Sequence, residues 1–390
     1  MQVAALAWVV QEHTGSALRT TAIAFIGIVP LLLLGPAAGV LADRFRRRRV
    51  LVVTNALNLA QAVALWLVWV AGLGDRYWLL FALSAIGGIF TALQTPSWQS
   101  LPAELVERRD LPNAITLNTT QFNIARALGP LFAGLTIDHI GAGATFGINA
   151  LSYLFVIAAL LAMTPPPFVA RPDDGLTTVQ RWMAGVRYIR ARDALVLVIC
   201  IHMVFSIVVP PIVYLVPKLA IEVLGVGASA YGVLLGGFGI GAVVAAVVLN
   251  ANEHRIRRSR ALATGVGFGS AALLGLAAAS RYTPGVFAMV ALGVAYLVVV
   301  SIDHGTIQTL TDDEHRGRVT SVWLMTFGLC MPIGVLGQGA LADHLGVRSV
   351  LALDGAVLLA LLVVLVASGR LRRLDRAVEA ANRDYSNNLA

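Results

Sequence analysis

The amino-acid sequence predicts an all-α membrane protein with about twelve helical crossings. Its composition, its long apolar runs and its arginine distribution support this prediction. Only 13% of the 390 residues are charged, whereas an ordinary soluble domain has about 25% charged residues. The mean hydropathy is +0.79. Because so few polar side chains cannot cover a chain in water, we expect lipid to be the solvent of this one.

Eleven stretches are long and apolar enough to cross a hydrocarbon core of about 30 Å, which takes about 20 helical residues. Strands of a membrane barrel would instead be segments of about ten residues with alternating hydrophobicity, so the runs predict helices. They are Thr20–Ala42, Val50–Leu73, Tyr77–Ala103, Leu111–Ile137, Ala144–Met163, Ala194–Pro217, Tyr231–Leu249, Ala261–Ser280, Pro284–Leu310, Val319–Ala342 and Val350–Gly369.

The first residues differ from these stretches because Gln11, Glu12 and His13 interrupt the apolar run. A helix from Met1 to Glu12 would be about 18 Å long, too short to cross. We expect either a re-entrant stub or a truncated first helix whose start lies upstream.

The basic residues are distributed unevenly between alternate loops. Of the 29 Lys and Arg residues, the sparse set of loops holds only Arg19, Arg76, Lys218, Arg281 and Arg348, and Arg126 lies within a span. Since Lys and Arg gather in cytoplasmic loops, we expect a multi-pass protein of the cell (inner) membrane with both termini in the cytoplasm. The same asymmetry accounts for the net charge of +8 without a nucleic-acid partner.

Internal repeats predict how the spans are organised. Leu34–Phe45, Leu128–Gly141 and Gly334–Gly346 end their spans alike, each with a glycine-rich run followed by Ala-Asp or Ile-Asp. This pattern predicts two pseudo-symmetric six-helix bundles built from three-helix repeats, the first helix being truncated. We expect bundles at residues 1–163 and 194–370, a cytoplasmic linker with an amphipathic helix at 164–193, and a cytoplasmic tail at 371–390.

The loop after the second span carries the most specific motif. It has Gly39, Asp43, Arg44, Arg47 and Arg48 in the order G-x-L-A-D-R-x-x-R-R. This resembles the loop signature of the major facilitator superfamily, except that an arginine stands at position 46 where that family usually has glycine. The resemblance implies a gating loop that latches the cytoplasmic side, with Gly39 allowing close helix approach. The alternative is an arginine cluster that only orients the helices.

Other segments resemble one branch of that superfamily, the drug:proton antiporters that include macrolide and enterobactin exporters. They are Pro96–Val106, Asp110–Ala114, Asn123–Arg126 and Glu314–Val319, the last carrying Arg316, Gly317 and Arg318 in the loop between helices 10 and 11. Gly129, Pro130 and Gly134 resemble the antiporter motif of helix 5, with Ala133 replacing one glycine. The resemblance implies export, and simple helix packing is the alternative for these glycines.

Polar side chains inside spans are costly, so they usually face a cavity or a partner. Thr119, Asn123 and Arg126 share one helix face at i, i+4 and i+7. We expect this face to line the central cavity and to contact substrate. The alternative is a salt bridge between helices without substrate contact.

Asp303, with His304 beside it, is the candidate for proton coupling. An apolar environment disfavours an ionised carboxylate, and histidine titrates near neutral pH, so both could exchange protons. A fixed bridge between Asp303 and Arg126 is the alternative. We expect structural roles for Asp354 and for His202, which stands alone in its span.

The absence of enzyme motifs limits the energy source. The sequence has no G-x-x-x-x-G-K-[ST], H-E-x-x-H or G-x-S-x-G motif, so we expect neither enzyme activity nor a cofactor. An ion gradient remains, most simply of protons.

The sequence therefore predicts a monomeric secondary transporter that exports amphipathic small molecules by alternating access, with protons and the lipid bilayer as its other partners. Two alternatives stay open. One is a lysophospholipid or metabolite transporter of the same fold, and the other is a non-transporting truncated membrane protein.

Overall fold

A computed structural model describes residues 1–107, 109–163, 178–252 and 256–389, and it contains helices and no strands in these ranges. The helices are α1 (Gln2–Thr14), α2 (Ala17–Arg44), α3 (Arg47–Val70), α4 (Tyr77–Leu105), α5 (Leu111–Ala162), α6 (Thr178–Arg190), α7 (Asp193–Val208), α8 (Val216–Lys218), α9 (Ala228–Ala251), α10 (Arg258–Ala278), α11 (Tyr282–Leu310), α12 (Asp313–Leu345), α13 (Val347–Ala367) and α14 (Arg370–Leu389). A 3₁₀ turn, Pro210–Tyr214, follows α7, and a π turn, Leu219–Val223, follows α8. The predicted all-α fold is confirmed.

Helix α5 is far longer than one membrane crossing. Its 52 residues would extend about 78 Å as a straight helix. Gly141 breaks it, with φ 87° and ψ 165°, a conformation that only glycine adopts readily. Ten described segments are long and apolar enough to span a membrane when α5 is counted once. Division at Gly141 therefore gives the eleven predicted crossings in the described residues.

A second single-residue turn occupies the repeat-related position. Gly346 ends α12 and begins α13, with φ 80° and ψ 151°. No described atom lies within 4 Å of a Cβ built at Gly141 or Gly346, so the backbone conformation, and not a close neighbour, favours glycine at both positions. The sequence repeat thus corresponds to a repeated backbone geometry.

Helix α1 is short and largely buried, with Ala5 and Val10 inaccessible to solvent. Gly15, at φ 62°, ends it. The ammonium of Lys218 donates to the Gly15 carbonyl at 3.1 Å and lies 3.2 Å from the Glu222 carboxylate. A cation at a helix C-terminus complements the helix dipole, so the only lysine of the chain stabilises the end of α1.

Contacts divide the chain into two compact units, residues 1–174 with 214–236 and residues 175–213 with 237–390. In the first unit α2 packs on α4, and α3 packs on α4 and α5. In the second unit α10 packs on α11 and α13, and α7 packs on α12. The expected boundaries at 163, 193 and 370 stay predictions.

Candidate functional site

The arginines of the predicted gating loop connect three helix ends in the first unit. Arg47 at the start of α3 is 9% exposed and its Nη1 lies 2.5 Å from Glu104 Oε1 at the end of α4. The same nitrogen donates to the Ser100 carbonyl at 3.3 Å. A half-enclosed pair of this kind is costly to break, because the remaining charge stays without compensation.

Arg48 binds the end of α5. Its Nε donates to the Leu160 carbonyl at 2.7 Å, and its Nη2 donates to the Leu161 carbonyl at 2.5 Å. The last carbonyls of a helix have no partner within the helix, so this arginine caps α5. Arg47 and Arg48 together hold the ends of α3, α4 and α5 at one edge of the unit.

The other three motif residues of the loop are Gly39, Asp43 and Arg44. No described atom lies within 4 Å of a Cβ built at Gly39, and the close helix approach expected there stays a prediction. Arg44 is exposed at the end of α2, and the side chain of Asp43 lies outside the described residues.

The helix 5 motif packs against α9. A Cβ on Gly232 would lie 2.8 Å from the Pro130 carbonyl oxygen and 3.2 Å from the Gly134 Cα. A Cβ on Gly134 would lie even closer to the backbone of α9, whereas one on Gly129 would have only an ordinary contact at 3.5 Å. Small residues allow such close helix contacts in membranes, so Gly134 and Gly232 form a backbone-to-backbone interface.

One turn further along α5, Asp138 caps the start of α9. Its Oδ1 accepts from the Ala228 amide at 3.1 Å, and its Oδ2 accepts from the Ser229 amide at 2.7 Å. A carboxylate at a helix N-terminus satisfies unpaired amides and complements the dipole. The repeat singled out Asp138 by position, but this role was not predicted.

A cavity of about 290 Å³ lies in the first unit and is lined by residues of α1 to α5 and by Tyr214. Its polar lining consists of uncharged groups, namely Gln2, Asn58, Gln61, Ser84, Thr91, Tyr153 and Tyr214. Gln2 Nε2 donates to Gln61 Oε1 at 3.3 Å, and Asn149 Nδ2 donates to Gln2 Oε1 at 2.9 Å. The cavity thus combines apolar walls with a fixed network of amides.

The predicted polar face of helix 5 is not part of the lining of this cavity. Asn123 is half-buried and Arg126 is exposed, and the side chain of Thr119 lies outside the described residues. Arg126 lies near Tyr214, whose side chain lines the cavity. It is therefore a neighbour of the cavity wall and not part of its lining.

In the second unit, Asp303 of α11 faces His202 of α7. Asp303 Oδ2 lies 3.6 Å from His202 Nδ1, and the two side chains are 0% and 1% exposed. Neither group makes a hydrogen bond to a described residue. The sequence missed this partner because His202 lies alone in an apolar span. The alternative of a fixed bridge from Asp303 to Arg126 stays a prediction.

An indole lies beside both histidines of this region. The Trp323 ring is centred 4.6 Å from the His202 ring and 4.8 Å from the His304 ring. Gln308 Nε2 is 3.2 Å from His304 Nε2 and donates to Thr320 Oγ1 at 3.2 Å. Asp303 and His304 thus take part in one cluster through different neighbours, with His304 only half-buried.

The linker helix α6 contacts the loop between α11 and α12 and the first turns of α12. The triplet Arg316, Gly317 and Arg318, predicted in a loop, lies in these first turns, because α12 already begins at Asp313. The Tyr188 hydroxyl donates to Asp312 Oδ2 at 2.9 Å, and the His315 ring stacks on Tyr188 at 4.5 Å. Gly185 of α6 packs against the backbone of Arg318. Arg316 is exposed, and no described atom lies within 4 Å of a Cβ built at Gly317. Within the predicted triplet, only Arg318 therefore takes part in a close backbone contact.

Eleven apolar crossings, glycine-mediated helix contacts and a buried ionisable pair between two spans define a polytopic membrane transporter of the major facilitator type. Over residues 1–390 the chain matches the family described as transmembrane secretion effector, and it belongs to that family. The predicted superfamily is thereby confirmed.

Curated relatives and solved structures agree with this assignment. Macrolide efflux protein A of Streptococcus pyogenes is 23% identical over 387 residues, which cover 95% of this chain and 92% of that protein. The multidrug efflux pump Tap of Mycobacterium tuberculosis is 27% identical over 404 positions, with coverage of 97% and 92%.

Two crystal structures show the likeness in three dimensions. A bacterial homologue of the human lysosomal transporter Spinster superposes with a TM-score of 0.66 at 14% identity, covering 98% of this chain and 97% of the other. The nucleoside transporter NupG gives 0.70 at 10% identity, with coverage of 94% and 93%. At such low identity the likeness establishes the fold, which is the predicted major facilitator fold.

Proposed function

We propose that this protein exports amphipathic small molecules across the plasma membrane in exchange for protons, by alternating access. The relatives named for macrolide and multidrug efflux support the export of drug-like compounds. The buried contact between His202 and Asp303 is the observation that carries proton coupling. We propose no enzyme activity for this chain.

The uncharged cavity of the first unit is the proposed substrate site. Its volume of about 290 Å³ is close to the lower end of the range for ligand pockets, about 300–1,000 Å³. Apolar walls with a few amide and hydroxyl groups suit a molecule that is mostly apolar and carries hydrogen-bonding groups. Thr119, Asn123 and Arg126 complete the proposed path along α5, where Arg126 lies near Tyr214.

The proposed coupling site is the pair of Asp303 and His202. Two ionisable groups without other polar partners among the described residues can be stable as an ion pair or with both groups neutral, because either arrangement has no net charge. Loss or gain of one proton leaves a net charge in an apolar environment, which is costly. We propose that this cost drives the change of conformation, and that His304, half-buried beside Trp323, exchanges the proton with water.

The arginines of the gating loop are proposed to latch one face of the first unit. Arg47 bound to Glu104 and Arg48 bound to the α5 carbonyls hold three helix ends together, and Asp43 and Arg44 complete the motif. Following the positive-inside rule, we place this face, both chain termini and α14 in the cytoplasm. We further propose that the protein works as a monomer without a nucleic-acid partner.

Substrate-dependent proton movement is the direct test. Everted membrane vesicles that contain the protein are energised, and a hydrophobic dye or a macrolide is added while the lumenal pH is recorded. An antiporter releases lumenal protons on addition of substrate, and a protonophore abolishes dye uptake. Dye uptake that persists unchanged with the protonophore contradicts proton coupling. Stimulation by a lysophospholipid alone identifies the protein as a lysophospholipid transporter of the same fold.

A further inference from the structure

A second cavity, of about 570 Å³, lies between the start of α7, the end of α11 and the tail helix α14. We call it the α14 cavity. Its charged lining consists of Arg192, Arg370, Arg373 and Asp193, three guanidinium groups against one carboxylate. Its remaining walls are apolar and include Leu197, Leu310 and Leu374. The cavity therefore has a basic mouth and an apolar side.

Helix α14 packs against other helices of the second unit. Leu371, Leu374 and Val378 are buried, with exposures of 7%, 0% and 8%. Asp375 accepts from the Ser259 amide at 3.1 Å and from the Ser259 hydroxyl at 2.5 Å, which caps the start of α10. Because these contacts fix α14, the arginines on its cavity side have defined positions.

Two of the three cavity arginines have no protein partner. Arg370 and Arg373 are exposed and make no ion pair or hydrogen bond with a described residue. Arg192 lies over the Tyr188 ring at 3.5 Å and is 3.7 Å from the Asp312 carboxylate. The mouth thus has a net positive charge, with three guanidinium groups against the carboxylates of Asp193 and Asp312.

The first turn of α7 contributes two opposite charges, the partial positive charge of its free amides and the carboxylate of Asp193. Helix α7 begins at the cavity, and no side chain caps its N-terminus. The amides of a first helical turn and the helix dipole favour an anion. An anionic group in the mouth would face these amides together with Arg370 and Arg373.

We propose that the α14 cavity binds the phosphate head group of an anionic phospholipid. The head group lies between Arg370, Arg373 and the start of α7, and an acyl chain follows Leu197 and the exposed Cys200 along α7. Basic pockets between spans on the cytoplasmic side are suited to anionic head groups. A free phosphate would use the mouth but not the apolar wall, so a lipid fits the whole cavity. The proposal uses the cytoplasmic placement of α14 given above and is independent of the transported substrate.

Lipid retention by the purified full-length protein tests this proposal. The protein in non-ionic detergent is titrated with phosphatidylglycerol or phosphatidylcholine, and bound lipid is counted by native mass spectrometry. The test variant is Arg370→Gln with Arg373→Gln. The control, Arg372→Gln with Arg376→Gln, removes the same charge from positions of the same helix that do not line the cavity.

We expect the wild-type protein and the control to retain phosphatidylglycerol, and the test variant to bind it about thirtyfold more weakly. The reason is that each arginine near an anionic lipid strengthens binding about fivefold. Arg370→Lys with Arg373→Lys should retain most of the binding, which separates loss of charge from misfolding.

Three results would overturn the proposal. The first is wild-type affinity for phosphatidylglycerol in the test variant, and the second is an equal loss in the control. The third is complete displacement of the lipid by millimolar inorganic phosphate that itself binds through Arg370 and Arg373, which would make the cavity a phosphate site. Because no transport is measured, failure here leaves the proposed export untouched.

Discussion

The imidazole of His202 lies 3.6 Å from the carboxylate of Asp303 on a neighbouring helix, and both side chains are closed off from solvent. The two groups are far apart in the sequence, yet they meet in the interior of the second unit without a hydrogen-bond partner among the described residues. Their protonation states are therefore coupled, since a net charge on the pair costs far more than an ion pair or a neutral pair.

Replacement of Asp303 by asparagine should uncouple transport from the proton gradient. Asparagine keeps the size of the side chain but cannot exchange a proton, so gradient-driven dye efflux should fall on the order of tenfold, a barrier change of about 1.4 kcal/mol. Efflux from cells is measured with and without a protonophore, at matched membrane levels.

Asp354→Asn is the matched control, because it removes another buried carboxylate from a span of the same unit. We expect it to retain most of the efflux. Unchanged gradient dependence in the Asp303 variant would remove that residue from the mechanism.

Replacement of His202 by glutamine should destabilise the protein more than replacement of both partners. The single change leaves the Asp303 carboxylate buried without a charged neighbour, at a cost of about 2 kcal/mol. His202→Gln with Asp303→Asn leaves two neutral amides in contact. Thermal unfolding in detergent should therefore give a lower midpoint for the single variant than for the double variant. A double variant that is as unstable as the sum of both single changes would show that the pair is not coupled.

Reversal of the ion pair between Arg47 and Glu104 should distinguish latching from helix orientation. Arg47→Gln removes the buried guanidinium that binds Glu104, so transport should fall severalfold. Exchange of the two residues, Arg47→Glu with Glu104→Arg, should restore part of the activity.

Arg46→Gln, at an exposed neighbouring position, should have little effect. Cysteine labelling of the loop from both sides of the membrane reports topology. An inverted topology in the Arg47 variant, with no rescue by the exchange, would support the role in orientation instead.

An alanine at Gly134 should be harmful, and an alanine at Gly129 should not. The added methyl at Gly134 meets the backbone of α9, which cannot move aside, whereas at Gly129 it meets one atom at 3.5 Å. Overpacking of this kind costs about 1–3 kcal/mol. Thermal unfolding and dye efflux are measured for both variants. Equal loss of efflux in both, with no change in stability, would favour a direct functional role for the whole motif over helix packing.

The spans were predictable because apolar runs of about 20 residues indicate membrane-spanning helices. Gly141 lies between two such runs, which explains why α5 is not a single crossing. The pairing of His202 with Asp303 was not predictable. Helices that are apolar on all sides carry no sequence signal for which face meets a neighbour. The sequences of the two spans therefore did not predict the contact between His202 and Asp303.

The tail helix shows the opposite case. Leu371, Leu374 and Val378 follow the i, i+3, i+7 spacing of a helix with one apolar face, and this face is the one buried against the second unit. The signal for docking was present in the sequence, where only a cytoplasmic tail was predicted.

The turns at Gly141 and Gly346 also determine how many residues of these hairpins are accessible outside the bilayer. Each joins two long helices through a single residue, so the hairpins present almost no loop. Proteolytic cleavage and tolerated insertions concentrate at exposed loop tips, and these hairpins have almost none. Affinity tags and binding reagents for this protein are therefore better directed to its arginine-rich face than to these hairpins.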